Sequence, residues 1–130
     1  MHIITNNSRV RDEIKKGEIT FVDGDYLAVL RKTKEFIIDK HISLLTHPLS
    51  SSLKPNETYY KSIILSGNEH TSIDLESLEM IENAIEVTEK FLKNAKWPKW
   101  SEQSLSDFRL IDFDLINTAL ARMQIPPNFM

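Results

Sequence analysis

The chain of 130 residues contains no cysteine. That excludes disulfides, thiolate metal sites, cysteine nucleophiles and dithiol redox chemistry, each of which needs a thiol. Only three glycines occur, Gly17, Gly24 and Gly67, so neither the dinucleotide-binding nor the Walker phosphate-binding fingerprint can be written. Positive charge is not in excess: the formal net charge is −3, which offers no field to draw in a nucleic-acid backbone. No apolar run approaches the length of a membrane span. The opening Met1-His2-Ile3-Ile4-Thr5-Asn6-Asn7 has neither the basic region nor the apolar stretch of a secretion signal. A cytoplasmic protein with no nucleic-acid partner, no membrane partner and no cofactor is expected.

What remains is ordinary globular composition. With 41% hydrophobic and 27% charged residues, the chain can enclose one core, so residues 1–130 are expected to form a single domain. His2-Ile3-Ile4-Thr5 reads as a strand ended by the turn and cap formers Asn6 and Asn7. Val10 and Ile14, four apart, mark a short helix over 8–16 with Gly17 as its stop. Ile19-Thr20-Phe21-Val22 reads as a second strand, and Asp25 as the cap of a helix that carries Leu27, Leu30 and Ile37 on one face. Residues 42–46 suggest a third strand and 62–65 a fourth, whose direction the sequence leaves open.

The clearest helix spans 73–95, with Asp74 at its start and Leu75, Leu78, Ile81, Ile85, Thr88 and Leu92 along one face. Glu86 and Lys90 are spaced as an ion pair along it, as are Glu89 and Lys93. Phe108-Arg109-Leu110-Ile111 suggests a fifth strand. Asp112 or Asp114 would then cap a last helix through Leu115, Ala119, Leu120 and Met123. Strands alternating with helices predict an α/β fold: one three-layer domain with a mostly parallel sheet of four to five strands, flanked by about four helices.

Ligands of open parallel sheets bind outside the carboxyl ends of the strands. The polar residues of this chain cluster at those predicted ends. Thr5, Asn6 and Asn7 follow the first strand, Asp23 and Asp25 the second, and Thr46 and His47 the third. If the three strands are parallel, these groups share one rim with the long loop over 47–60. Asn7 and Asp25 also suit plain helix capping, which leaves helix N-termini at the same rim. The stretch 46–61 contributes Thr46, His47, Ser50, Ser51, Ser52, Lys54, Asn56 and Lys61. Lys54 and Lys61 can attract an anion that the serine hydroxyls and Asn56 position. The bland reading of the same residues is a loop that bonds only to itself.

Thr46-His47-Pro48-Leu49-Ser50, followed by Lys54-Pro55-Asn56-Glu57-Thr58 and Lys61-Ser62, resembles the signature stretch of the GrdX family. The opening Ile3-Ile4-Thr5-Asn6-Asn7, the run Asp74-Leu75-Glu76-Ser77-Leu78-Glu79 and Leu110-Ile111-Asp112 fit the same likeness. The resemblance implies a small protein associated with glycine, betaine or sarcosine reductase systems, and hence a setting in reductive amino-acid metabolism. It carries no catalytic role to any residue here.

The expected function is therefore an accessory protein that binds a small anionic ligand, or a protein partner in a reductase system, through Asn6, Asn7, Asp23 and the 46–61 stretch. A first rival is a small hydrolase or transferase that uses His47 as its acid–base. It lacks a Gly-x-Ser-x-Gly elbow, and a His47→Ala variant that keeps affinity but loses turnover would single it out. A second rival is an assembly factor without a pocket, anchored through Trp97 and Trp100. The four histidines show no paired spacing, so no metal site is expected.

Overall fold

A computed structural model describes residues 1–50, 58–94 and 100–123. Its sheet is built on β1 (His2–Thr5), where Ile3 and Ile4 are fully buried on opposite faces, as the two-residue strand period requires. β2 (Glu18–Phe21) pairs with β1 in parallel, His2 beside Glu18 and Thr5 beside Phe21. β3 (Ser62–Leu65) pairs antiparallel on the other side, with Thr5 beside Ser62 and His2 beside Leu65. The sheet order is β2-β1-β3.

α1 (Ser8–Glu13) links β1 to β2. α2 (Tyr26–Lys40) follows β2, and α3 (Leu75–Asn94) and α4 (Glu102–Met123) complete the described elements. Ile3 and Ile64 face one core with Val10 and Ile14 from the α1 region and Ile116 and Leu120 of α4. Ile4, Ile63 and Leu65 face the other, with Tyr26, Val29, Leu30 and Ile37 of α2 and Ile81 and Ala84 of α3. The three layers and the α/β class are as expected. α3 keeps its predicted face except at Leu75, which opens the helix and is 73% exposed. Glu86 and Lys90 pair at 3.3 Å, whereas Glu89 reaches across to Arg31 at 3.5 Å.

The sheet itself departs from expectation: among the described residues it has three strands, and it is mixed rather than mostly parallel. Residues 42–46 run beside β3 but make a single bridge, Leu44 to Leu65. Side-chain hydroxyls take the place of a ladder. Ser66 Oγ accepts from the Ser43 amide at 3.0 Å and Ser77 Oγ from the Leu44 amide at 2.9 Å. The Leu45 and Thr46 amides both turn to the Ile64 carbonyl, at 2.9 and 3.3 Å. Local hydroxyl bonds have displaced regular pairing.

The predicted fifth strand, 108–111, is helical and lies inside α4. Ser101, not Asp112 or Asp114, caps that helix, its Oγ accepting from the Ser104 amide at 3.1 Å. Phe108, Asp112, Ile116 and Leu120 then recur every four residues along its inner side. α1 stops at Glu13, before the expected limit, because Ile14 leaves the helix in an extended conformation and enters the core. Gly17 instead makes the turn into β2 at φ 71°, where a Cβ would stand 2.6 Å from the Met1 carbonyl oxygen. No helix among the described residues is long and apolar enough to cross a membrane.

Candidate functional site

Because β1 and β2 are parallel and β3 is antiparallel, the ends of the first two strands and the start of the third meet on one rim. Asn6 ties that rim together. Its Nδ2 donates to the carbonyls of Gly24 at 3.0 Å and Tyr59 at 2.9 Å, and its Oδ1 accepts from the Lys61 amide at 2.9 Å. Three chain segments far apart in sequence are thereby held by one amide. Asn7, fully buried, caps α1 by accepting from the Arg9 amide at 3.0 Å. Its Nδ2 reaches α4, donating to the Arg109 carbonyl at 2.9 Å and to Asp112 Oδ2 at 3.0 Å. Asp25 caps α2 through the Ala28 amide at 2.9 Å. Asp23 is exposed on this rim.

Between the rim and α4 lies a cleft of about 310 Å³. Thr46, His47, Ser50, Thr58, Tyr60, Lys61 and Ser62 line one wall. Phe108, Ile111, Asp112, Asp114, Leu115, Ala119 and Arg122 are among those of α4 that line the other. Lys61 is only 4% exposed, and its Nζ donates to the Ser50 carbonyl at 2.9 Å. That bond pins the near end of the loop. Burial pushes the Lys61 ammonium down to about 8, and the nearby Asp112 carboxylate offsets only part of the effect. Asp112 is pushed the other way, above the usual carboxylate range, again chiefly by burial. Hydrogen bonds from Ser62 and Asn7 and the charge of Lys61 moderate its shift.

A directed chain of donors supports Asp112. Ser62 Oγ donates to Asp112 Oδ2 at 2.7 Å, so its other hydroxyl contact, Thr5 Oγ1 at 2.7 Å, must be the donor to it. Thr5 Oγ1 in turn accepts from the Asn7 amide at 3.0 Å. Each oxygen passes polarity to the next, and the chain ends on the acid. The Tyr26 hydroxyl is buried and without a hydrogen-bond partner among the described residues. Burial first, and then Asp112, hold that phenol in its protonated form.

An aromatic group adjoins the cleft through Tyr60 and Phe108. Arg109 Nη1 donates to the Tyr60 hydroxyl at 2.7 Å and its guanidinium lies 5.4 Å from the Tyr60 ring centre. Tyr59 meets Tyr60 and Trp100 edge-on, and Trp100 meets Phe108 at 5.3 Å. Trp100 is half-buried in its own chain rather than presented outward.

Of the residues singled out from sequence, Thr46, His47, Ser50 and Lys61 line the cleft. Asn6 and Asn7 serve as internal ties, and Asp23 is not among the lining residues. Ser51, Ser52, Lys54, Asn56 and Trp97 lie outside the described residues. His47 Nδ1 accepts from the Leu49 amide at 3.0 Å. A neutral ring in that arrangement carries its proton on Nε2 and can donate there but not accept, which is the wrong polarity for a base that activates a serine. Among the described residues no group of His, Asp and Glu is placed to hold a metal ion.

Asp112, Tyr60, Ser62, Arg109 and Arg122 were not singled out from sequence as site residues, Asp112 being read as a helix cap. The signal for Asp112 was present: it falls on the same four-residue period as Phe108, Ile116 and Leu120, an acid on a core-facing stripe. Reading 108–111 as a strand broke that period and hid it.

Together the fold and the site define a small three-layer α/β protein with a buried amine and a buried carboxyl in a cleft at the edge of its sheet. The chain belongs to the family of GrdX-like proteins, whose family model matches residues 2–121. No curated protein and no solved structure matches it.

Proposed function

We propose that this GrdX-like protein is an accessory protein that binds a small anionic ligand through the 46–61 stretch, in the cleft that Thr46, His47, Ser50, Thr58 and Lys61 line opposite α4. One observation carries the reading: Lys61 lines that cleft while almost wholly buried, its amine held by the Ser50 carbonyl. A cation kept from water interacts strongly with an anion that enters beside it, because little solvent screens the pair. The Thr46 and Thr58 hydroxyls and the Arg122 guanidinium line the same space and can complete the anion's hydrogen bonds. Ser51, Ser52, Lys54 and Asn56, which follow Ser50 in sequence, belong to the same proposed segment. The family likeness supports a setting in reductive amino-acid metabolism, with a protein partner of a glycine reductase system as a second client of this rim.

Isothermal calorimetry with inorganic phosphate and with propionate tests the reading. One of the two should show saturable one-to-one binding that weakens about tenfold or more in Lys61→Met, the loss of one charge-assisted contact. Affinity should also fall as pH rises through about 8, where the ammonium loses its proton. Absence of saturable heat from both anions, or unchanged affinity in a folded Lys61→Met variant, would overturn it.

A further inference from the structure

We propose that Lys61 is a nucleophile, whose amine condenses with the carbonyl carbon of a small 2-oxo acid in the cleft to form an imine, with Asp112 moving the protons. The inference rests on the reading of this cleft as a ligand site and adds to it the class of ligand and the chemistry.

Three features point to it. Lys61 and Asp112 line one cleft, come from different elements, and their charges act on each other through space. Burial favours the uncharged form of each, the free amine of Lys61 and the protonated acid of Asp112, the two groups the condensation needs in one cleft. Ser62 and Asn7 both bond Oδ2 of Asp112, so the proton of its neutral form belongs on Oδ1. Beyond the amine, Thr46, Thr58 and Arg122 offer donors for the carboxylate that a 2-oxo acid carries next to its carbonyl.

The atoms balance as follows. The Lys61 Nζ lone pair forms the C–N bond, and the carbonyl π electrons move to oxygen, which takes the proton from Asp112. The nitrogen then returns one proton to the Asp112 carboxylate. The same carboxyl protonates the hydroxyl, the C–O bond breaks, water leaves and the nitrogen lone pair closes the C=N bond. The product is a protonated imine facing the Asp112 carboxylate. Its positive charge offsets that of the carboxylate, so the buried pair is neutral as a whole before and after the reaction. No oxidant or reductant takes part.

The test is reductive trapping of the intact chain with pyruvate and sodium cyanoborohydride, followed by peptide mapping. Lys61 should carry label at least about tenfold faster than the exposed Lys90 and Lys93, despite its burial, because it shares its cleft with an acid that can move the protons. The labelling rate should climb as pH rises toward about 8. Lys61→Arg should lose the fast label, and Asp112→Asn should slow it by about a hundredfold, with folding of each checked by circular dichroism. Label spread evenly over surface lysines of the parent protein would overturn the imine chemistry whether or not the variants fold. Should phosphate or propionate still bind in that case, the anion site stands without it; should both anions also fail, both readings fall.

Discussion

Ser62 Oγ, on the first residue of β3, stands 2.7 Å from Asp112 Oδ2 in the middle of α4, a contact across fifty residues of chain. It places an acid that periodicity alone would assign to the core at the wall of a cleft. Asn7 donates to the same oxygen from the end of β1. The acid is thus shared by the sheet and the helix, and the stability of the molecule and its chemistry meet there.

Asn7 and Asp25 both cap helices, but only Asn7 also binds α4. Asp25→Ala should cost about 1 kcal/mol, the usual value of a lost N-cap. Asn7→Ala removes the cap and two buried hydrogen bonds as well, so it should cost about 3 kcal/mol. Urea unfolding of the two variants side by side measures the difference. Equal losses would mean that the contacts to Arg109 and Asp112 contribute nothing.

The folded protein releases the Lys61 proton at about 8, the unfolded chain near 10.5. Between those values the unfolded state binds more protons, so the contribution of Lys61 to stability rises with pH there and is lowest below about 8. The full span is roughly 3 kcal/mol. The parent-minus-variant difference in urea midpoint for Lys61→Met should therefore shift in favour of the parent from pH 8 upward. Asp112 behaves oppositely in acid. Its folded value is raised, so its contribution improves as pH falls through that value toward 3.8.

Ser77 Oγ holds the Leu44 amide and itself donates to Asp74 Oδ2 at 2.5 Å. Ser77→Ala should destabilise the fold by about 1–2 kcal/mol, because it strips the partner from a part-buried amide. Hydrogen exchange at Leu44 should speed up while exchange at Ile3 and Ile63 follows only the global change. Unchanged protection at Leu44 would mean that backbone pairing, not the serine, secures that segment.

Asp23 and Arg122 separate rim from cleft. Asp23 is exposed and outside the lining residues, whereas Arg122 lines the space beside Thr118 and Ala119. In the phosphate and propionate titrations, Asp23→Asn should alter affinity by less than about twofold, and Arg122→Ala should weaken it by roughly threefold to tenfold. A larger effect at Asp23 than at Arg122 would move the site outward from the cleft.

Much of the fold was legible because it depends on short-range pattern. The run from His2 to Thr5, the spacing of α2 behind Asp25 and the long stripe of α3 each show in a window of a few residues. The rim was legible for the same reason, since turn formers sit where strands end. Residues 42–46 misled because their β-branched and apolar content cannot reveal hydroxyls on Ser66 and Ser77 that capture their amides. Residues 108–111 misled because four apolar or long side chains in a row look alike in a strand and in a buried helix. Helical continuity back to Ser101 decides between them.

Local chemistry in the chain, by itself, determined the two caps, the alternation of Ile3 and Ile4 between faces and the absence of any thiol chemistry. It also placed Thr46, His47, Ser50 and Lys61 in one polar stretch. Only the tertiary structure decided that β3 runs antiparallel, that Lys61 turns inward and that Asp112 stands near it. The physical reason is that desolvation and through-space charge depend on what surrounds a group, and the groups around Lys61 come from α2, β3 and α4.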